Sequence, residues 1–260
     1  MLLLHGWTAT ADLNWVTSYK ALQRHFRVVA LDHRGHGRGI RSIRPFRLED
    51  CADDAAALCA ELGIERAIVC GYSMGGPIAQ LTWRRHRDLV SGLVLCATAR
   101  RFGNGDPRLR AMGAGLLGVS IAARVASPAL RGQLVRRYVS ARIGDDPRLQ
   151  WAAEQIRRND PAALLQAGAA LTGYDATAWL GDIDVPTSVV VTANDTVIPP
   201  HRQRALAASI SGSRITEVEG THAVVIENPR AFVPGLVTAV SAAAALATPD
   251  SRAPGLPSRR

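Results

Sequence analysis

Short apolar runs alternate with longer amphipathic stretches along most of the chain. The runs have the length and the leucine- or valine-rich character of buried strands. They lie at 2–4, 27–31, 67–70, 92–96, 188–191 and 214–218. The stretches predicted as helices lie at 15–26, 48–62, about 74–86, about 200–210 and about 229–247. This alternation is typical of a mostly parallel sheet with helices on both faces, so we predict an α/β fold.

The stretch at 48–62 carries the strongest helical pattern. Its apolar residues recur at steps of three and four, which places them on one face of a helix. These residues are Leu48, Cys51, Ala55, Leu58, Cys59 and Leu62. Acidic residues fill the first turns, where the helix dipole favours negative charge, and Gly63 is expected to end the helix.

The alternation stops at 100–180, where strand-like runs are missing and helical stretches at 129–143 and 147–171 are separated by Gly and Pro. We interpret this segment as a helical insertion over one end of the sheet. The last residues are rich in Pro, Ser and Arg and almost without apolar content, which is typical of disorder. The predicted parts are an α/β core at 1–99 and 181–246, a helical cap insertion at 100–180 and a disordered tail at 247–260.

The composition is that of an ordinary soluble protein. With 260 residues, 47% of them hydrophobic and 20% charged, the chain can bury a core without disulfide bonds and is not expected to be disordered as a whole. The four cysteines show no C-x-x-C spacing and lie inside predicted helices or strands, so we expect buried thiols in a reducing compartment. The opening apolar run is too short for a signal peptide, and no stretch approaches the roughly 20 apolar residues that span a bilayer. We therefore expect a cytoplasmic protein without a stable membrane anchor.

The formal net charge is +9, and Lys20 is the only lysine among the 31 basic residues. The arginines are scattered in short runs such as Arg84-Arg85 and Arg136-Arg137, which is typical of a solvated surface. Nucleic acid is therefore not an expected partner. The alternative is a functional anion-binding surface, whose affinity would depend strongly on salt.

A G-x-S-x-G motif lies between a predicted strand and a predicted helix, with Ser73 at its centre and Gly71 and Gly75 on either side. A nucleophile on so sharp a strand-to-helix turn adopts strained backbone angles, and glycines two residues before and after it avoid collisions with the neighbouring chain. The alternative interpretation is an ordinary glycine-rich turn. The strand and helix around the motif favour a nucleophile.

Serine is a poor nucleophile at its free pKa, so it needs a general base, and the base needs an orienting acid. Asp195 follows the predicted strand 188–191 and His222 follows the strand 214–218. Both therefore leave the carboxyl end of a parallel strand, where open α/β sheets place their sites. The rival acids are Asp182, Asp184 and Glu219: the first two precede a strand, at the wrong end of the sheet, and the third lies beside the histidine.

With Ser73, Asp195 and His222 in this order, the chain resembles the α/β-hydrolase superfamily, whose members carry nucleophile, acid and histidine in the same sequence. Two further segments resemble the family. The residues at 5–7 match its H-G-x oxyanion segment, and those at 32–37 match its D-x-R-G-x-G turn, which we interpret as structural. The resemblance covers roughly 2–240.

The resemblance implies an oxyanion hole made by two backbone amides, those of Trp7 and Met74. Preorganised donors of this kind are worth about 2.7–4 kcal/mol each to a developing oxyanion. It also implies that substrate choice resides in the insertion, whose apolar residues, with Trp7 and Tyr72, are expected to wall the acyl pocket. The implied mechanism needs no cofactor, and no nucleotide-binding glycine motif is present.

His33 and His36 are the alternative candidates for a metal site. No carboxylate or cysteine accompanies them at a usual ligand spacing, so no metal is predicted. The resemblance gives the H-G histidine, His5, a role in loop geometry and gives His33 and His36 a role in the turn.

The sequence departs from the family at its start. Members of the superfamily usually place two strands before the H-G strand, and this sequence begins at that strand. The missing strands would leave the strand 28–31 as an open edge, which invites aggregation or pairing with another chain. We hypothesise that the sequence is incomplete at its N-terminus.

These patterns predict a cofactor-free serine hydrolase that cleaves carboxylic esters of a small or medium acyl substrate through an acyl-enzyme. The same residues in this family also serve thioesterases, C–C bond hydrolases and perhydrolases, also called non-haem haloperoxidases. A non-catalytic ligand-binding protein is the alternative from another class. The sequence leaves the substrate and the oligomeric state open.

Overall fold

A computed structural model describes residues 1–103, 106–125, 132, 133, 137 and 150–247. Its centre is a parallel sheet of six strands in the order β2-β1-β3-β4-β5-β6. The strands are β1 (Leu2–Leu4), β2 (Val29–Leu31), β3 (Ala67–Tyr72), β4 (Val90–Cys96), β5 (Thr187–Thr192) and β6 (Arg214–Val218). The predicted α/β fold is confirmed.

Helices cover both faces of this sheet. The described α-helices are α1 (Ala11–Leu22), α2 (Leu48–Glu61), α3 (Gly75–Arg85), α4 (Pro107–Val125), α5 (Gln150–Arg157), α6 (Pro161–Gly173), α7 (Pro200–Ala207), α8 (Val224–Glu227) and α9 (Pro229–Ala247). Alternate strand residues enter two separate cores. Leu2, Leu4 and Val69 face the side with α2, α3 and α7, whereas Leu3 and Cys70 face the side with α1 and α9.

Two helix boundaries differ from the predicted ones for local reasons. The helix predicted to start at residue 15 begins at Ala11, because the Thr10 side chain accepts a hydrogen bond from the Leu13 N–H and caps it. The single stretch predicted at 147–171 is divided into α5 and α6, since Asp160 caps α6 and Pro161 occupies its first turn.

The insertion follows β4 and precedes β5. In its described part α4 packs against α6, and Arg101 forms an isolated antiparallel bridge with Asp175 at its base. The helix predicted at 129–143 lies outside the described residues apart from 132, 133 and 137, and so does the tail predicted at 247–260 apart from its first residue. The division into core, cap and tail stays a prediction.

β2 forms one edge of the sheet, and its three residues are half-buried. This is the strand that the sequence predicts to be an open edge. The hypothesis of an incomplete N-terminus stays a hypothesis.

The helix α9 corrects one expectation drawn from the sequence. Its 19 residues have a mean hydropathy of 1.5, which by length and composition is enough to cross a membrane. In the structure, however, Phe232, Leu236 and Val240 are fully buried, so α9 packs one face against the sheet.

Candidate active site

Ser73 lies in the sharp turn between β3 and α3, at the carboxyl edge of the sheet. Its φ is +51°, in the left-handed region that non-glycine residues rarely adopt. A Cβ at Gly71 would collide with the Gly75 carbonyl and a Cβ at Gly75 would collide with the Leu4 carbonyl, which explains the two glycines of the motif. The turn is held in place because the Ser73 N–H donates to the Cys96 carbonyl at 2.9 Å and the Thr98 hydroxyl donates to the Ser73 carbonyl at 2.8 Å.

The structure brings Ser73, His222 and Asp195 into one hydrogen-bonded chain. His222 Nε2 lies 2.9 Å from Ser73 Oγ, and His222 Nδ1 lies 2.7 Å from Asp195 Oδ2. The serine and the histidine are partly exposed, whereas the aspartate side chain is fully buried. This is the geometry in which an imidazole can take a proton from the hydroxyl while a carboxylate orients the ring.

Asp195 is surrounded by donors. Oδ1 accepts the backbone N–H groups of Val197 and Ile198, each at 2.8 Å, and Oδ2 also accepts the Thr192 hydroxyl at 2.8 Å. Burial works to raise the pKa of this carboxyl, but its hydrogen bonds and the nearby His222 outweigh burial and lower the pKa below its usual value. The carboxylate is therefore the stable form in the folded protein.

Two supporting side chains around Asp195 are not found by the sequence motifs. Thr192 is the last residue of β5, and Gln203 on α7 donates to the Thr192 hydroxyl at 2.8 Å and to the Ile198 carbonyl at 2.6 Å. Both are fully buried. Gln203 reaches the site from a helix whose pattern carries no catalytic signal, so only the folded structure reveals it.

The rival acids are placed elsewhere. Asp182 and Asp184 precede β5 and lie at the amino end of the sheet, where Asp184 accepts the Trp83 indole N–H at 3.1 Å. Glu219 is exposed and accepts a hydrogen bond from Asn194 at 3.1 Å.

Tyr72 does not wall a pocket as predicted. It is 3% exposed, its ring contacts Trp15 and Phe232 edge-on in the core, and its hydroxyl donates to the His222 carbonyl at 2.7 Å. The strand alternation explains the error, because Tyr72 ends β3 and points to the face with α1 and α9. Its contact instead fixes the loop that carries His222.

The residues 5–9, here called the oxyanion loop, pass directly beside the nucleophile. A Cβ at Gly6 would lie 3.3 Å from Ser73 Cβ, and the Gly6 N–H donates to Asn14 Oδ1 at 3.0 Å. Within the described part of the chain the backbone N–H groups of Trp7 and Met74 have no hydrogen-bond acceptor. Both amides remain available to a ligand, as the predicted oxyanion hole requires.

His5, the first residue of this loop, forms a fully buried cluster of imidazoles with His33 and His36. The ring centroids of His5 and His33 are 4.3 Å apart, and His5 Nε2 accepts the His33 backbone N–H at 3.0 Å. Burial lowers the pKa of His5 to about 4 and that of His36 to about 3, and it lowers the pKa of His33 well below its usual value. Among the described residues no group of His, Cys, Asp or Glu is arranged to hold a metal ion.

Comparisons with known proteins agree with the fold. The family described as "alpha/beta hydrolase fold" matches residues 1–229. A pimeloyl-[acyl-carrier protein] methyl ester esterase of Neisseria meningitidis is 28% identical over 236 residues, covering 88% of this chain and 89% of the relative. 3-Oxoadipate enol-lactonase 2 of Acinetobacter baylyi is 24% identical over 220 residues, covering 84% and 80%. The crystal structure of the enol-lactonase from Burkholderia xenovorans superposes with a TM-score of 0.74 at 26% identity, covering 92% of this chain and 90% of that one.

Proposed function

Because the chain belongs to the α/β-hydrolase fold family, we propose that it is a cofactor-free serine hydrolase that cleaves carboxylic esters through an acyl-enzyme. The observation that carries the proposal is the continuous hydrogen-bonded chain from Ser73 Oγ through His222 to the buried Asp195 carboxylate. Such a chain gives a serine hydroxyl the base that it lacks when free. The names of the relatives, a methyl ester esterase and enol-lactonases, support esters and their cyclic counterparts as the substrate class.

In the proposed mechanism, Ser73 Oγ attacks the ester carbonyl while its proton passes to His222 Nε2. Asp195 holds the ring with Nδ1–H toward the carboxylate and stabilises the imidazolium. The amides of Trp7 and Met74 bind the tetrahedral oxyanion. His222 then returns the proton to the leaving alcohol as the carbonyl carbon–alcohol bond breaks. A water molecule next gives a proton to the same nitrogen and attacks the acyl-enzyme; as the bond to Ser73 Oγ breaks, His222 returns that proton to Oγ and the acid is released.

The test is labelling with a fluorophosphonate probe, followed by peptide mapping and by turnover of p-nitrophenyl esters of increasing acyl length. We expect a single label, on Ser73, and loss of turnover by at least about 10⁴-fold in Ser73→Ala. Ser213→Ala, which removes a hydroxyl at the amino end of β6, is the matched control and should keep wild-type activity. Ester turnover that survives in a purified Ser73→Ala protein would refute the proposal.

A further inference from the structure

The insertion is joined to the oxyanion loop by two hydrogen bonds. The Trp7 indole N–H donates to the Leu164 carbonyl on α6 at 2.8 Å, and the Asn159 amide N–H donates to the Thr8 carbonyl at 2.9 Å. The acceptor, Leu164, and the donor, Asn159, each lie more than 150 positions away in sequence from their partners in the loop. The loop is therefore attached to the insertion through the Trp7 side chain and through the Thr8 backbone.

The Asn159 side chain is held in place by contacts other than the one that it makes with the loop. It is 4% exposed, and its Oδ1 accepts the Gly37 backbone N–H at 2.7 Å. The next residue, Asp160, donates its N–H to the Gly35 carbonyl at 2.8 Å. The start of α6 is thus bound to the turn at 32–39, which leaves the Asn159 amide with one orientation toward Thr8.

The loop needs such support because of its backbone. Thr8 has a φ of +64°, and for a β-branched residue this left-handed conformation is costly, on the order of 1–3 kcal/mol. Thr8 directly follows Trp7, whose backbone N–H is the proposed oxyanion donor. On the other side of that donor, the Gly6 N–H is held by Asn14. Asn14 and Asn159 therefore fix the two ends of the segment that aims the Trp7 amide.

Gly168 supplies a second point of support. A Cβ there would lie 2.7 Å from Trp7 Cζ2 and 3.2 Å from Cη2, so the indole ring lies directly against the helix backbone. Glycine inside a helix is less stable than alanine by about 1 kcal/mol. This cost is offset because the glycine leaves room for the indole ring against the helix backbone. We call this surface at Gly168, next to the Leu164 carbonyl that accepts the indole N–H, the seat of Trp7.

We propose that the insertion completes the oxyanion hole, with Asn159 as a positioning residue and with Gly168 and the Leu164 carbonyl as the seat that fixes Trp7. The inference rests on the proposed function, because it takes the Trp7 amide as an oxyanion donor. It assigns the insertion a part in the acyl-transfer step itself, beyond shaping the acyl pocket.

Two variants test the inference from independent contacts. Asn159→Asp keeps the acceptor for the Gly37 N–H and loses the donor to Thr8, and Gly168→Ala pushes the indole ring from its seat. Since a displaced catalytic group costs up to about 100-fold in rate, we expect kcat for p-nitrophenyl butyrate to fall about tenfold or more in each variant, with KM within about twofold. Gly173→Ala is the matched control on the same helix, because a Cβ there meets nothing within 4 Å in the described structure; it should keep the wild-type kcat.

The inhibition constant of a transition-state analogue separates positioning of the oxyanion donor from a general structural effect. A trifluoromethyl ketone adds to the serine as a hemiketal whose oxyanion occupies the hole, so its Ki should rise with the fall in kcat in both variants and stay unchanged in Gly173→Ala. Wild-type kcat and Ki in both variants would overturn the inference, and so would a change confined to KM. Failure of the proposed function looks different, since the wild-type protein itself would then show neither labelling at Ser73 nor ester turnover.

Discussion

Asp195 shows how hydrogen bonds decide which atom of a side chain faces which partner. Its Oδ1 accepts two backbone N–H groups in the turn after β5, so this position must remain an oxygen. Its Oδ2 faces His222 Nδ1. The carboxylate cannot rotate without losing both amide contacts, and the imidazole is therefore held as the tautomer with a free Nε2 lone pair toward Ser73.

The first prediction follows from this arrangement. In Asp195→Asn the amide oxygen should take the Oδ1 position, which turns the NH₂ group toward His222 Nδ1. The ring must then carry its proton on Nε2 and cannot accept the Ser73 proton, so we expect kcat to fall about 10⁴-fold with little change in fold. Steady-state turnover and the unfolding midpoint measure the two effects. Glu219→Gln removes an exposed carboxylate close to His222 in sequence and is the control; a loss of similar size there would contradict the choice of acid.

Sequence reasoning reached Ser73, Asp195 and His222 because the G-x-S-x-G motif marks the serine and the ends of predicted strands mark the other two. It could not reach Gln203 or Asn159, since their roles come from contacts between segments that are far apart along the chain. It misplaced Tyr72, because the motif marks this residue as a neighbour of Ser73 but does not show that the last side chain of β3 points into the core beside α1 and α9.

At the scale of elements, the turn at 32–39 is anchored to α2 by a partly buried group of charges, in which Arg34 contacts two aspartates. Arg34 donates to both oxygens of Asp54, at 2.8 and 2.7 Å, and to Asp50 at 2.9 Å, and its side chain is only 16% exposed. Arg85 makes a similar two-pronged contact with Asp53 on the same helix, but there both side chains are more than 40% exposed. The two arginines differ in solvent access and in the second carboxylate, Asp50, that only Arg34 contacts.

The second prediction uses this difference. A lysine keeps the charge but cannot form the planar, two-pronged contact, so Arg34→Lys should lower the free energy of unfolding by about 1.5–3 kcal/mol, the worth of a hydrogen bond to a charged group. Arg85→Lys should lower it by less than about 1 kcal/mol, because solvent screens the exposed pair. Urea unfolding of both variants provides the comparison. Equal losses would contradict the prediction, because they would show that neither the lower exposure of Arg34 nor its second contact with Asp50 adds to stability.

The elements themselves were largely predictable, and the exceptions share a cause. Every predicted strand is present, since short apolar runs between turn residues have few other structures available. The start of α1 and the break between α5 and α6 depend on capping by Thr10 and Asp160, which a search for apolar periodicity does not register. Caps act through single side-chain hydrogen bonds, and these set boundaries without altering the hydrophobic pattern.

For the molecule as a whole, the buried cluster of His5, His33 and His36 links stability to pH. Burial lowers the pKa of each imidazole, to about 4 for His5 and about 3 for His36. In the unfolded chain a histidine titrates near 6.5. Below pH 6.5 the unfolded chain therefore binds protons that the folded protein does not, and the free energy of unfolding decreases as the pH falls toward the folded values.

The last prediction isolates one of these protons. His36 Nδ1 lies 3.1 Å from the Arg34 carbonyl, and a glutamine amide can donate to the same carbonyl without titrating. Between pH 7 and pH 5 the wild-type protein should lose about 2 kcal/mol on account of His36 alone, since the shift spans this whole interval. His36→Gln should accordingly lose about 2 kcal/mol less than wild type over the same interval, when both are unfolded in urea at each pH. The exposed His201→Gln is the control for the substitution itself. A pH dependence of His36→Gln identical to that of the wild type would mean that His36 has the same pKa in the folded and the unfolded chain, and the lowering of its pKa by burial would then be refuted.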